Sequence, residues 1–358
     1  MFGKGLSGLF CFVLPLLVFF IALFVQEERT EIDPDLNLDT NEQPIILFWT
    51  LFSRAKWPID EGKRHCGEHS CYFTSNKKLF SNSSAVIFSK CAWGFLTDVL
   101  NAVNLKRPEK QRWILVSGES PVNRPIYHFL RNYPIFNWSI SYRTDSDVKG
   151  VYGYTFPGKF QDGFDPYKNY LKGKTIEVSA LISHCVYDRL KAVRSLMKYI
   201  DVNLMGACTG KRLSVTESHL QIQSSKFYLS FENSLCEDYV TEKTYRNAYT
   251  NEAVPVILSG ANLSNPLIVP PGSYIDASKF KTAKELADYL KYVGESEVLY
   301  NKFFEWRASW NINTTNWDVL CKLCDKIHES SPAETKVYAD LSGLYSKERE
   351  CKPYIRWN

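Results

Sequence analysis

The chain has 358 residues, 45% of them hydrophobic and 23% charged, with a net charge of +4. That is the composition of a folded globular protein, not of a disordered or fibrous one. The charge is mild and no Lys/Arg-rich block occurs, which excludes nucleic acid as the partner.

The first element is an uncharged apolar run, Leu9 to Val25. As a helix rising about 1.5 Å per residue it would span roughly 25 Å, enough for a thin early-secretory bilayer. Lys4 precedes it and Glu27, Glu28 and Glu31 follow, which predicts a cytoplasmic amino end. The run is longer than a usual signal-peptide core, and no Ala-x-Ala-like cleavage site follows. The expectation is therefore a cytoplasmic tail at 1–8, an uncleaved single-pass type II signal anchor at 9–25, and a polar, acidic stem at 26–43. A lumenal body agrees with four Asn-x-Ser/Thr sequons, at Asn82, Asn137, Asn262 and Asn313, and with 10 cysteines, most of which should pair in an oxidising lumen.

Beyond the stem, Ile45–Thr50 (IILFWT) reads as a buried strand from its continuous apolar run. Ala85–Ser89 and Trp113–Val116 are further strands, with a helix at Phe95–Val103 between them. A Gly/Pro-rich passage, Gly150–Gly173, reads as a hinge between domains. The second half alternates more regularly. A strand at Thr175–Ser183 is followed by a helix at Tyr187–Tyr199 with Leu190, Val193, Leu196 and Met197 on one side, and then a strand at Val202–Met205. After Phe227–Phe231 and a helix from Thr241 comes a strand at Val254, then helices near Ala283–Val293 and Val298–Trp306. Such alternation predicts a parallel sheet covered on both faces.

The stretch Lys226–Lys243, KFYLSFENSLCEDYVTEK, carries the chemistry. An apolar strand stops at Glu232-Asn233-Ser234, an acidic loop follows, and Thr241-Glu242-Lys243 opens a helix. Strand, polar loop and helix start form the usual anion site of an open α/β sheet. A lysine in a first helical turn opposes the helix dipole, and that misfit favours a bound anion. Two other segments attract attention. Trp113–Pro121, WILVSGESP, ends a strand on Glu119, a carboxylate expected to face a cleft. Asp145-Ser146-Asp147 offers two carboxylates to a metal, and Cys66, Cys71, Cys321 and Cys324 offer four sulfurs, as a tetrahedral zinc site or as two disulfides. Cys185 with Cys208 and Cys91 with Cys351 are looser pairings, and Cys236 is expected to stay unpaired.

The 226–243 segment resembles the donor-binding motif of the α1,3-fucosyltransferases, glycosyltransferase family ten, whose pattern is close to FYLxFENSxxxDYxTEKxxxNA. Phe227, Tyr228, Leu229, Phe231, Glu232, Asn233, Ser234, Asp238, Tyr239, Thr241, Glu242, Lys243, Asn247 and Ala248 all fit. SHCVYDRLKAV resembles the family's segment that opens Ser-Asn-Cys and carries an arginine shortly after, with His184 where the family has Asn, and the family's Gly near Asn251 is absent.

The resemblance implies a GT-B-like α/β fold of two Rossmann-like domains facing a cleft. The N-terminal acceptor-side domain would occupy 44–160, the C-terminal GDP-fucose-binding domain 161–328, and a tail 329–358. It implies a Golgi enzyme moving L-fucose from GDP-fucose, with inversion, to O3 of N-acetylglucosamine, on a core N-glycan or a Lewis-type lactosamine of a glycoprotein. Glu119 would be the base; Arg189 and Lys243 would meet the diphosphate; Asn233, Tyr239 and Glu242 would complete the donor site. It also implies that Cys66 and Cys71 are bridged to Cys321 and Cys324, and that Asp145-Ser146-Asp147 is no metal site. No cofactor is then required, though Mn²⁺ or Mg²⁺ could stimulate. Two readings of Glu232 stay open, a site carboxylate or a structural one that hydrogen-bonds the loop it begins. Two alternatives compete: a silent glycan-binding protein on this fold, and a metal-dependent transferase using another sugar nucleotide.

Overall fold

A computed structural model describes residues 43–52, 57, 59–90, 94–123, 134–158, 165–210, 212–314, 318–331, 336–340, 346–355 and 357. The expected anchor and nearly all of the stem lie outside them, and among the described residues no helix is long and apolar enough to cross a membrane.

Two sheets carry the α/β fold. The first comprises β1 (Ile45–Phe48), β2 (Gly62–Cys66), β3 (His69–Thr74), β4 (Ala85–Ser89), β5 (Arg112–Ser117), β6 (Trp138–Ser141) and β7 (Val148–Lys149), in the order β2-β3-β1-β4-β5-β6-β7. All neighbours are parallel except the β2/β3 hairpin. Side chains alternate between its faces as the strand period requires. Ile46 and Phe48 enter one apolar cluster, while Leu47 and Trp49 enter another, beneath α1 (Phe95–Val103).

β8 (Tyr154–Pro157) leaves the first sheet through the Gly/Pro-rich passage. The second sheet is built from β9 (Ile176–Leu181), β10 (Val202–Met205), β11 (Ser225–Phe231), β13 (Val254–Leu258) and β14 (Ile275–Asp276), with short β12 (Leu235–Cys236) lying apart. All its pairings are parallel, in the order β10-β9-β11-β13-β14. Burial on both faces explains why β11 and β13 read as unbroken apolar runs. α2 (Tyr187–Leu196), α4 (Ala283–Gly294) and α5 (Glu297–Lys302) close one face around Phe227, Leu229 and Val256, and α3 (Val215–Gln223) lies on the other. Capping boxes, Ser214 with Glu217 and Thr282 with Glu285, fix the starts of α3 and α4.

Several sequence expectations need correcting. α2 stops at Leu196, and Met197, expected on its buried side, is 43% exposed. The helix expected from Thr241 is a single π-helical turn, Lys243–Ala248, followed by a 3₁₀ turn. The missing glycine near Asn251 is met by Glu252, which adopts a left-handed φ of 52°. α6 (Asp318–Glu329), assigned from sequence to the second domain, packs on the first sheet through Val319, Leu320 and Leu323. β15 (Trp310–Asn313) pairs antiparallel with β8 on the way there.

Disulfides explain this return. Cys66–Cys321 and Cys71–Cys324 tie the hairpin to α6, and all four sulfurs are consumed, so the four-sulfur zinc alternative falls. Cys185–Cys208 is formed. Cys351 does not pair with Cys91, which lies outside the described residues. Instead β16 (Cys351–Lys352) runs antiparallel to β12 and sets Cys351 against Cys236, which is therefore not free. The residues after it fold back on the second sheet, where Trp357 packs against Phe231. Asn137 is also corrected as a glycan site. It is 4% exposed, its amide N–H donates to the Lys336 carbonyl, and its oxygen accepts from Trp113 N–H. Asn82 and Asn262 are exposed, while Asn313 is half-buried and bonds Tyr154 and Asp318.

Candidate active site

Glu232 directly follows β11, with its side chain wholly buried. A carboxylate there is costly unless every lone pair is used. Oε1 accepts from Thr241 N–H at 2.9 Å and from the Thr241 hydroxyl at 2.9 Å, and Oε2 accepts from Lys243 Nζ at 3.0 Å. Glu232 thus folds the loop back onto the strand that begins it. Lys243 Nζ also donates to Thr241 Oγ1 at 2.8 Å and to Glu242 Oε1 at 3.2 Å. Burial alone would lower the lysine's affinity for its proton, but the two carboxylates hold it above the ordinary value. Burial raises the Glu232 carboxyl despite Lys243. For Glu242 burial pushes up, and the charge and hydrogen bond of Lys243 outweigh it, keeping the group ionised.

These contacts correct the argument from helix polarity. Lys243 lies in a π turn, and its charge is met internally by Glu232 and Glu242. Arg189, from the first turn of α2, is the better-placed cation. It is 2% exposed, and among the described residues its guanidinium donates only to the backbone carbonyls of Phe231, at 3.4 Å, and His184. Its Nε is buried without a hydrogen-bond partner among the described residues. An orphaned buried donor on a full positive charge is what an anionic ligand satisfies.

The acidic loop is held by the first sheet. Asp238, at a left-handed φ of 57°, accepts from Thr144 N–H at 2.9 Å and from its hydroxyl at 2.6 Å. Tyr239, 1% exposed, donates its hydroxyl to Glu119 Oε2 at 3.3 Å and packs edge-on against Tyr142. Burial, reinforced by Glu119, raises the Tyr239 phenol well above its ordinary value, so it stays a donor. Glu119 itself follows β5, with Asn123 Nδ2 at 3.5 Å from the same oxygen.

All six expected side chains, Glu119, Arg189, Asn233, Tyr239, Glu242 and Lys243, line one polar cavity of about 260 Å³, together with Tyr152, His184 and Arg246. A neighbouring cavity of about 560 Å³ shares Leu181, Ser183, Arg246 and Asn247 with it and adds Arg212, Val215 and His219. Gly206 borders this second space, and a Cβ there would meet the Ile182 carbonyl oxygen at 2.4 Å. Arg212, His219 and Arg246 were not singled out from sequence. Only Arg246 had a local signal, three residues after Lys243 in the motif.

Other expectations fall outside the cavity. Trp138 is core, Tyr142 braces Tyr239, and Tyr154 donates to Asp318, whereas Tyr152 lines the cavity. Asp145 is gripped by Arg143, and Asp147 accepts from Ser139 N–H and Lys336, so the two carboxylates serve separate structural partners.

The sequence matches two family models: residues 41–153 match "Fucosyltransferase, N-terminal", and residues 171–344 match "Glycosyltransferase family 10 (fucosyltransferase) C-term". It is 32% identical to 3-galactosyl-N-acetylglucosaminide 4-alpha-L-fucosyltransferase FUT3 of Pan troglodytes, over 81% of this chain and 78% of that one. It is likewise 32% identical to human 4-galactosyl-N-acetylglucosaminide 3-alpha-L-fucosyltransferase FUT5, over 81% and 77%. A crystal structure of an alpha1,3-fucosyltransferase shares the fold, with a TM-score of 0.52 at 15% identity over 86% of this chain and 96% of that one. Motif, models and relatives agree that the chain belongs to glycosyltransferase family 10, the fucosyltransferases.

Proposed function

We propose that the chain transfers L-fucose from GDP-fucose, with inversion, to O3 of an N-acetylglucosamine unit in a glycan. The two relatives named act on galactosyl-N-acetylglucosaminides, which favours an outer lactosamine over a core N-glycan acceptor. The single observation that carries the reading is the meeting of Glu119, from the first sheet, with Arg189, Glu242 and Lys243, from the second, around one cavity. Arg189 binds the diphosphate, its planar guanidinium suited to two phosphate oxygens at once. The nucleoside lies in the adjoining 560 Å³ space beside Arg212 and His219. Asn233, Tyr239 and Glu242 orient the fucose. Glu119 accepts the acceptor hydroxyl's proton as that oxygen bonds to the anomeric carbon and GDP departs in one displacement. Lys243 tunes Glu242 and reaches the diphosphate only as its contact with that carboxylate loosens. Divalent cations act on the leaving group in solution and are not required. The GT-B arrangement, the type II anchor at 9–25, glycans at exposed sequons and a Golgi lumen complete the reading.

Glu119→Gln should reduce fucosyl transfer by roughly 10²-fold or more, the usual contribution of a general base, while GDP affinity is retained. Near-parent turnover, measured with GDP-fucose and a lactosamine acceptor, refutes the assignment of the base.

A further inference from the structure

The permanent charges at the polar cavity balance one another. Arg189, Lys243 and Arg246 supply cations, while Glu119, Glu242 and the buried Glu232 beneath them supply as many carboxylates. Lys243 is moreover committed to Glu232 and Glu242. A diphosphate esterified to nucleoside and sugar brings two negative charges. A third appears when the sugar leaves, because the electron pair of the broken bond stays on the phosphate oxygen. A cation placed beforehand where that charge develops is the most effective stabiliser. One lining side chain can still become one, His184.

His184 lies in the turn between β9 and α2, and its backbone is fixed. Its carbonyl accepts from the Arg189 guanidinium and from Val186 N–H at 3.0 Å. Cys185 is bridged to Cys208, whose N–H donates to the Ile182 carbonyl at 3.2 Å. The imidazole is exposed and lines the cavity with Arg189. Across that space stand Glu119 and Tyr152, and from the donor loop and π turn Tyr239, Glu242, Lys243 and Arg246. Asp188 follows in the first turn of α2, and Tyr354 donates its hydroxyl to the Glu232 carbonyl at 2.9 Å. We propose that His184 is a donor-binding residue: its imidazolium donates to the diphosphate beside Arg189, and donor affinity therefore strengthens as the solution becomes more acid. The inference rests on the fucosyl-transfer reading and adds a contact made by this chain's own residue, where its family has Asn. An asparagine donates a hydrogen bond but never carries a charge, so His184→Asn removes the charge alone.

The test is calorimetric titration of the full-length chain with GDP-fucose, without acceptor, at pH 5.5 and pH 8, which bracket the range where imidazole side chains ordinarily change charge. GDP-fucose is the probe because its diphosphate is esterified at both ends, whereas the terminal phosphate of GDP itself exchanges a proton near pH 6. At pH 5.5 the parent should bind about tenfold more tightly than His184→Asn, the lower end of what a hydrogen bond to a charged group contributes. At pH 8 the two should agree within about twofold. His184→Gln repeats the comparison should the first variant impair folding. Glu350, His219 and the other titrating groups are common to parent and variant, so the difference isolates position 184. Equal affinities at pH 5.5, or the same ratio at both pH values, overturn the proposal alone. No binding of GDP-fucose by the parent at either pH overturns the donor reading and this proposal with it.

Discussion

Lys243→Met gives the sharpest test of how this site is held together. The substitution leaves Glu232 wholly buried without its counter-charge. At an effective dielectric near 20, two unit charges 3.0 Å apart attract by about 5–6 kcal/mol. The variant need not forfeit all of that, because Glu232 can take up a proton. Starting from the ordinary glutamate value of 4.5, holding the group neutral at pH 7 costs about 3 kcal/mol, and at pH 5.5 about 1 kcal/mol. Proton uptake is the cheaper outcome and caps the loss. In the variant the folded-state affinity of Glu232 for its proton lies above the unfolded one, so the folded state binds more protons and stability falls as pH rises above 4.5. The difference in unfolding free energy between parent and variant should therefore shrink between pH 7 and 5.5, by up to about 2 kcal/mol because burial already raises Glu232 in the parent. Urea unfolding at the two pH values reads it directly. Adding Glu232→Gln to Lys243→Met should recover most of the pH 7 loss, since position 232 then carries no buried charge. A pH-independent loss, or a double variant as unstable as the single one, would refute the account.

Two further predictions concern the carboxyl-terminal segment. Burial pushes the Glu350 carboxyl up to about 7 against the pull of Arg143, so between the ordinary 4.5 and about 7 the folded state retains a proton that the unfolded state releases. Stability should fall through that window by up to about 3 kcal/mol, and Glu350→Gln should flatten the slope; parallel urea midpoints for the two proteins across pH 4.5–7.5 would contradict it. Cys351→Ser opens a bridge spanning 115 residues and frees the loop around Cys236. A loss of about 2–4 kcal/mol is expected, with the donor KM rising and the acceptor KM unchanged, and an unaltered donor KM would rule out this role for the bridge.

Much of the fold was legible because its strands are local apolar runs. β4, β10 and β13 and helix α1 fall where the sequence places them, since each contains its own burial pattern. The β2/β3 hairpin was not readable: GKRHC and HSCYFT are too polar to announce a strand, and two disulfides to a helix some 250 residues away hold them in register. The donor motif, with the segments that carry Arg189 and Glu119, named six residues that line one cavity, yet the argument from helix polarity missed the partners of Lys243. Glu242 is its neighbour in sequence, but Glu232 lies across the loop, and only the folded chain reveals that two carboxylates share one ammonium. Cys236 was misread for the same reason, because β16 is created by its pairing with β12 and has no signal of its own.

The loop from Glu232 to Lys243 is fixed from three directions. Glu232 anchors it below, and the Cys236–Cys351 bridge and the Glu237 N–H bond to Glu350, at 2.8 Å, tie it to the carboxyl-terminal segment. Thr144 seizes Asp238 from the first sheet. Arg143 then joins the three, meeting Asp145, Glu237 and Glu350. Each tie acts on a loop whose Tyr239 donates to Glu119. The position of Glu119 relative to Arg189 therefore depends on the loop as well as on β5. Electrostatic stabilisation is effective only where charges are oriented before the reaction begins, because reorientation during it consumes the advantage. On that argument the buried ion pair serves geometry more than stability. A hydrophobic pair of equal volume could hold the loop as firmly, but it would leave Glu242 without the charge that keeps it ionised and aimed into the cavity.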